Sequence, residues 1–281
     1  MFSVGLDKNK AASKLDGLPP VIWLNLDADT HRREYMEAMF ERWNVTDHTR
    51  IAGFDGRQGD VTEHLKGVVP EHLNPGEIGC CMSHIKALQY FVEETDYDRV
   101  LVMEDDIDLE YVRFWNFTWK EMVSYLPYDY DTVQFTIINP ATVHVNLHPR
   151  FINDFSAACY LITRHHAEKV LKAHVRGKKY KLDNGVLPRA TSEDVVLYSG
   201  KGYAFPILNF RLDLGSAIHD EHIDIFHRNS WQGIHEFWTT NGSTYPLEQL
   251  MRYQPYEYYL PPGFDANGKI PRADQQPAQE G

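Results

Sequence analysis

The stretch that decides the fold is VLVMEDDIDLE, residues 100–110, in which four apolar residues run directly into a group of acids. A continuous apolar run of this kind predicts a strand that is covered on both faces, as in a parallel sheet. Ligands of such sheets bind beyond the carboxyl ends of the strands. Glu104, Asp105 and Asp106 therefore lie where a ligand is expected.

Alternating strand and helix patterns around this stretch predict an α/β fold with a mostly parallel sheet flanked by helices. VIWLNL (21–26) predicts a buried strand, and the segment after it predicts a helix with one apolar stripe. A second helix is predicted from Glu77 to about Val92. The remaining predicted elements are an aromatic-rich helix that ends near LPYDYD, strands at 132–138 and 157–163, a helix over RHHAEKVLKAH, a short helix from Glu193 and a strand-like YAFPI. Residues 46–75 and the chain after about residue 183 are predicted to be irregular.

One domain is expected over residues 20–265, because no repeat or linker divides the pattern. Residues 1–19 are polar and end in Pro19-Pro20, which predicts a flexible arm. Residues 266–281 have the composition of a disordered tail.

Composition excludes several classes of function. The chain carries 28 basic and 40 acidic residues, a net charge of −12, which argues against binding to nucleic acid. No stretch approaches the ~20 apolar residues of a membrane span, and the first twenty residues have no apolar core for secretion. A cytoplasmic location is therefore expected. Three cysteines cannot form a disulfide framework, and no CxxC spacing suggests zinc.

The acids after the central strand could bind a metal ion. Residues two apart in an extended chain point the same way, so Glu104 and Asp106 can face one site while Asp105 faces another. Two convergent carboxylates suit a hard divalent cation, Mg²⁺ or Mn²⁺. The alternative is a solvated acidic turn at the start of the next helix, where acids are favourable.

The turn after the first predicted strand lies at the corresponding carboxyl end. Arg32 precedes Met36 by four residues, so it extends the apolar stripe of the helix toward the sheet edge. There it could hold a phosphate or a base, or it could be a surface charge. For Arg33 we prefer a surface pair with Glu37.

Two later segments also carry candidate groups. In TSEDVVLY, Asp194 could accept a proton from an attacking hydroxyl, or it could only stabilise the start of a helix. In IHDEH, a neutral His219 or His222 could complete the shell of a cation, although a histidine is more often a surface or core residue. The motifs GxxxxGK[ST], GxGxxG, GxSxG and HExxH are absent from the sequence.

In order along the chain, these pieces resemble glycosyltransferase family 25, the family of lipooligosaccharide and procollagen galactosyltransferases. The segments that carry the resemblance are VIWLNLDADTHRRE, RIAGFDG, LNPGEIGCCMSHIKAL, VLVMEDD and AACYLIT, with looser matches at SEDVVLY and DLGSAIH. It covers roughly residues 20–225. The pairing of GEIGCCMSH with MEDD is its most specific element.

The resemblance implies a GT-A nucleotide-sugar fold and an inverting, metal-dependent transfer of a hexose, usually galactose, from a UDP-sugar to a hydroxyl of a glycan or glycosylated acceptor. Mn²⁺, or Mg²⁺, is the implied cofactor. Glu104 and Asp106 would bind the ion, with His219 as a candidate third ligand, and Asp194 would be the base. The implied donor contacts are Asn25, Leu26, Arg32, Ser83, His84 and Asp105. A metal-dependent phosphohydrolase and a non-catalytic carbohydrate-binding relative are the alternatives.

Overall fold

The computed structural model describes residues 9–140, 143–182, 187, 189–214 and 227–252. The strands within these ranges are β1 (Val21–Asn25), β2 (His48–Ala52), β3 (Arg99–Glu104), β4 (Ile107–Asp108), β5 (Thr132–Gln134), β6 (His148–Pro149), β7 (Cys159–Thr163), β8 (Val175–Arg176), β9 (Lys179–Tyr180), β10 (Gly202–Ala204) and β11 (Asn209–Phe210). The α-helices are α1 (Thr30–Trp43), α2 (Pro75–Glu94), α3 (Trp119–Ser124), α4 (Arg164–His174), α5 (Ser192–Leu197), α6 (Arg228–Asn241) and α7 (Leu247–Leu250). The described helices include none with the apolar length that crossing a membrane requires.

Seven strands form the central sheet in the order β2-β1-β3-β7-β5-β10-β6. β1 pairs in parallel with β2 and β3, and β5 pairs in parallel with β10. β7 lies antiparallel between β3 and β5, and β6 is antiparallel to β10. Five of the seven strands thus run in one direction, which confirms the prediction of a largely parallel sheet in an α/β fold. The reversal of β7 was not predicted, because a strand buried on both faces has no sequence pattern that reveals its direction.

Helices cover both faces of this sheet, and the side chains of each strand alternate between two cores. In β1, Trp23 packs in one core with α1, whereas Ile22 packs in the other with α2. Leu101 and Val102 of β3 divide in the same way. α4 and α5 lie on the α2 side, and α3 and α6 lie on the α1 side. Burial on both faces explains why the strands are apolar at successive positions.

Elements also form in segments where the sequence predicts none. Within the predicted flexible arm, Lys10–Leu15 form a 3₁₀ helix whose Leu15 is buried in the core on the α1 side. β2 lies in the stretch predicted to be irregular, where the burial of HTRIA shows no clean alternation. α6 lies in the region predicted as loops, and its Ile234 and Trp238 are fully buried.

Candidate active site

An open cavity lies at the carboxyl ends of β1 and β3. It measures about 680 Å³, including the space at its mouth. Four segments line it: the end of β1 with the turn and helix start that follow, the segment after β2, the beginning of α2, and the acids after β3. The lining residues are Leu24, Asn25, Leu26, Asp29, Arg32, Gly53, Phe54, Asp55, Gly56, Arg57, Gly76, Cys80, Ser83, Glu104, Asp105 and Asp106.

Two glycines allow the wall of the cavity to form. A Cβ on Gly56 would lie 1.7 Å from the carbonyl oxygen of Pro75, and one on Gly79 would lie 2.5 Å from that of Phe54. The segment after β2 and the first turns of α2 therefore touch through their backbones. Ser83 strengthens this contact, because its Oγ accepts from the Phe54 N–H at 2.8 Å and donates to the Gly79 carbonyl at 2.7 Å.

The start of α2 is fixed by local chemistry. Asn74 accepts from the Glu77 N–H at 2.9 Å, and the Glu77 carboxylate accepts from the Asn74 N–H at 2.7 Å. This is a reciprocal capping box, and Pro75 occupies the first position of the helix, where its missing N–H costs nothing. The helix consequently begins at the cavity with a defined orientation.

Arg32 connects the turn after β1 to the acids after β3. Its Nε lies 3.0 Å from Asp105 Oδ1, and its Nη2 lies 2.7 Å from Asp106 Oδ2. The other oxygen of Asp105, Oδ2, accepts from the Asn25 side chain at 2.7 Å. Arg32 is thus a largely buried counterion of the acids rather than a surface charge.

The pKa values of the carboxylates beside Arg32 depart from their usual range. Burial raises the pKa of Asp106 to about 7, because the attraction of Arg32 offsets it only in part and Glu104 and Asp105 add repulsion. Burial likewise raises the pKa of Asp105. Asp106 Oδ1 is buried and has no hydrogen-bond partner among the described residues. A buried acceptor atom without a partner calls for an explanation, and a bound ligand that supplies the missing interaction is one.

Glu104 also lines the cavity, but its partners belong to α2. Its Oε1 lies 3.2 Å from His84 Nε2 and 3.9 Å from Cys80 Sγ. Burial opposes ionisation of Glu104, yet the hydrogen bond and charge of His84, together with Arg32 and His227, hold its pKa below the usual value. Cys80, His84 and Glu104 form a group that could hold a metal ion, with their ligand atoms all within 4.8 Å of one another.

Asp194, the predicted base, does not belong to the cavity lining. It is fully buried near the start of α5, and both of its carboxylate oxygens accept from the Arg189 side chain, at 2.7 and 3.1 Å. Arg150 approaches the same carboxylate at 3.7 Å. The role of Asp194 as a base stays a prediction. His219 and His222, the candidate third metal ligands, lie outside the described residues.

The other residues predicted to contact the sugar donor divide into two groups. Asn25, Leu26 and Ser83 line the cavity, whereas His84 is fully buried behind Glu104. The predicted pair of Arg33 with Glu37 is not among the ion pairs of the described residues, and Arg33 Nη2 lies 3.6 Å from Asp27 Oδ1 instead.

Sequence reasoning did not single out Cys80 as a site residue. A signal was present, because Cys80 and His84 are one helical turn apart and therefore share a face of α2. The search for zinc motifs by CxxC spacing does not detect such a pair. Phe54 and Asp55 were also missed, because they lie in a segment without periodicity.

The architecture and the cavity define an α/β protein with an open, acid-lined cavity at the carboxyl ends of its parallel strands. Residues 19–184 match the family described as glycosyltransferase family 25 (LPS biosynthesis protein). Since this match spans more than half of the chain, the chain belongs to glycosyltransferase family 25.

Two individual proteins are also similar to this chain over part of its length. A protein of Acanthamoeba polyphaga mimivirus, named as a putative glycosyltransferase, is 32% identical over 94 residues. The alignment covers 32% of this chain and 29% of the viral protein, so this chain matches less than a third of that relative. A crystal structure of a protein from STIV has 11% identity and a TM-score of 0.37 over 68% of this chain and 84% of the other.

Proposed function

We propose that this glycosyltransferase transfers a hexose, with galactose as the first candidate, from a UDP-sugar to a hydroxyl of a glycan or glycosylated acceptor. The proposal includes inversion at the sugar, a GT-A-type site and Mn²⁺ or Mg²⁺ as cofactor. The observation that carries it is the convergence of Arg32, Asp105, Asp106 and Glu104 in one open cavity at the carboxyl ends of β1 and β3. Such a cavity offers one fixed cation and several oxygen ligands to an anionic donor.

The side chains fit a hard divalent cation. Asp106 Oδ1 lacks a partner among the described residues, and the lowered pKa of Glu104 favours its carboxylate form. Oxygen atoms are the ligands that Mg²⁺ and Mn²⁺ prefer. Asp106 and Glu104 would therefore hold the ion. When bound, such an ion stabilises the negative charge that develops on a leaving diphosphate.

The protein itself would contribute binding and orientation. Arg32 points into the cavity from the start of α1 and can donate to a phosphate oxygen. Asp105, together with Asn25, fixes the position of the Arg32 side chain. Leu24, Leu26 and Phe54 give part of the cavity an apolar surface, which suits the face of a base or sugar.

An inverting transfer requires one general base on the acceptor side and no enzyme nucleophile. Asp194 remains the candidate for this base. Both oxygens of its carboxylate accept from the Arg189 side chain, so this arginine competes with a substrate hydroxyl for Asp194.

UDP release is the experiment that tests the proposal. The protein is incubated with UDP-galactose, UDP-glucose and UDP-N-acetylglucosamine, each with and without Mn²⁺, and with simple sugar acceptors. We expect Mn²⁺-dependent release that increases when an acceptor is added. Failure to release UDP from any donor would contradict the proposal, and release that no acceptor accelerates would instead indicate a phosphohydrolase.

A further inference from the structure

We propose that Cys80, His84 and Glu104 form a binding site for a borderline divalent cation, Zn²⁺ or Co²⁺, with one coordination position open to the cavity. The three ligand atoms are a thiol sulfur, an imidazole nitrogen and a carboxylate oxygen. Such a mixed set suits Zn²⁺ and Co²⁺ and is poorly matched to Mg²⁺, which prefers oxygen ligands.

The distances agree with a tetrahedral ion. Zinc binds nitrogen, oxygen and sulfur at ~2.0–2.3 Å, which separates the ligands of a tetrahedral site by roughly 3.3–3.7 Å. Glu104 Oε1 lies 3.2 Å from His84 Nε2 and 3.9 Å from Cys80 Sγ. The three ligand atoms all lie within 4.8 Å of one another. Only small side-chain movements would bring all three atoms to bonding distance from one point.

Secondary structure and a second hydrogen bond hold the ligands in place. Cys80 and His84 project from the same face of α2 because they are one turn apart, and Glu104 ends the adjacent strand β3. His84 Nδ1 lies 3.1 Å from the hydroxyl of Tyr160, which is fully buried. A partner on the second ring nitrogen orients a metal-binding histidine and leaves Nε2 free for the ion.

The cluster is closed on one side and open on the other. His84 is fully buried, whereas Cys80 and Glu104 both line the cavity. A cation at this point would therefore have three protein ligands and one position that faces the cavity, which is the arrangement of catalytic rather than structural zinc sites. A phosphate or hydroxyl oxygen of a bound molecule could occupy that position.

Binding of the ion requires deprotonation. The Cys80 thiol would lose its proton to become a thiolate, and His84 would bind through Nε2 in the tautomer that carries its proton on Nδ1. The thiol proton would be released when the ion binds. Glu104 is also a ligand of the cation site in the proposed function. Any role of the open coordination position in sugar transfer therefore rests on the proposed function. The binding of an ion by Cys80, His84 and Glu104 does not depend on it.

Cobalt spectroscopy tests the ligand set directly. The full chain, freed of metal with a chelator, is titrated with Co²⁺ while near-ultraviolet absorption from thiolate-to-cobalt charge transfer is recorded. We expect a band that saturates at one Co²⁺ per chain and is removed by Zn²⁺ but not by Mg²⁺. Cys80→Ser should abolish the band and weaken Co²⁺ binding by about tenfold or more. Glu104→Gln should weaken binding but retain the band.

The matched control is Cys81→Ala. The Cys81 sulfur faces the Ala190 carbonyl at 3.5 Å and does not belong to the cluster, so the band should persist. Circular dichroism of each variant separates ligand loss from unfolding. No charge-transfer band in the wild type, or an unchanged band in Cys80→Ser, would overturn the inference and leave His84 and Glu104 as a simple hydrogen-bonded pair.

UDP release by the same preparations with Mn²⁺ separates the two proposals. Release without a cobalt band would refute only the ligand set, and a cobalt band without release would refute only the transfer.

Discussion

Arg32 sets the charge balance of the cavity, because it is the counterion of two carboxylates at once. The side chains of Arg32, Asp105 and Asp106 are only 13%, 9% and 16% exposed, so water screens this group poorly. Removing one partner of such a group leaves buried charge without compensation. In the proposed function, the same side chain would contact the diphosphate of the sugar donor.

Arg32→Gln should therefore lower the free energy of unfolding by about 3 kcal/mol, as measured by urea denaturation without metal. Mn²⁺ should restore part of the loss, because a cation can replace the missing positive charge. Arg33→Gln is the matched control. Arg33 pairs with Asp27, which is 76% exposed, so its loss should cost no more than about 0.5 kcal/mol. An equal loss of unfolding free energy in the two variants would contradict the role of Arg32 as the counterion of Asp105 and Asp106.

Asp106 gives stability a characteristic dependence on pH. Its folded-state pKa of about 7 exceeds the ordinary value of 3.8, so the folded protein retains a proton that the unfolded chain releases. The stabilising contribution of the protonated form is complete below pH ~4 and declines as pH rises toward ~7, by at most ~1.4 kcal/mol per pH unit. Asp106→Asn should remove this slope. Denaturation of both proteins between pH 4 and 8 measures the difference, and parallel curves would show that Asp106 does not titrate in this range.

At the scale of single residues, part of the site could be predicted from the sequence. Asn25, Arg32 and the three acids could be predicted to lie together because the carboxyl ends of parallel strands meet at one edge. The partners of each side chain could not be predicted. Whether Asp106 meets Arg32 or Glu104 depends on side-chain conformations, and the pattern of the chain does not encode these.

At the scale of elements, the junction between the segment after β2 and the start of α2 forms the cavity wall. Gly79 is buried in that junction, and any side chain there meets the Phe54 carbonyl oxygen and the Gly56 amide. The contact of α2 with the segment after β2 therefore depends on glycine at this position, although alanine is the better helix former.

Gly79→Ala should lower stability and weaken UDP binding, because its Cβ would lie 2.5 Å from the Phe54 carbonyl oxygen and would push the wall apart. A loss of about 1–3 kcal/mol is typical of overpacking. Gly233→Ala in α6 is the control, since nothing lies within 4 Å of its added Cβ and helix propensity should raise stability by roughly 0.5–1 kcal/mol. Thermal unfolding of both variants measures these changes. A stabilised Gly79→Ala would show that the wall is not tightly packed.

Helices with a clear apolar stripe could be predicted closely. RHHAEKVLKAH was predicted as a helix and forms α4, Arg164–His174, and α2 extends only two residues beyond the predicted bounds at each end. The strand predicted at 132–138 is shorter, and β5 ends at Gln134. The apolar run of the sequence continues beyond the last strand residue. Phe135 and Ile137 are buried although they lie outside a strand, so the sequence pattern does not show where β5 ends.

At the scale of the whole molecule, the net charge of −12 opposes the approach of an anionic nucleotide sugar. The cavity itself contains more acids than arginines. A divalent cation would reverse this local imbalance and give the diphosphate a favourable partner. Binding of the sugar donor is therefore expected to depend on metal and not only on the shape of the cavity.

Calorimetric titration of the wild-type chain with UDP-galactose, with and without Mn²⁺, tests this central claim most directly. We expect binding that depends on Mn²⁺ and is lost in Asp106→Asn while the variant remains folded. Equal affinity without metal, or undiminished Mn²⁺-dependent binding by Asp106→Asn, would contradict a cation site at the acids after β3.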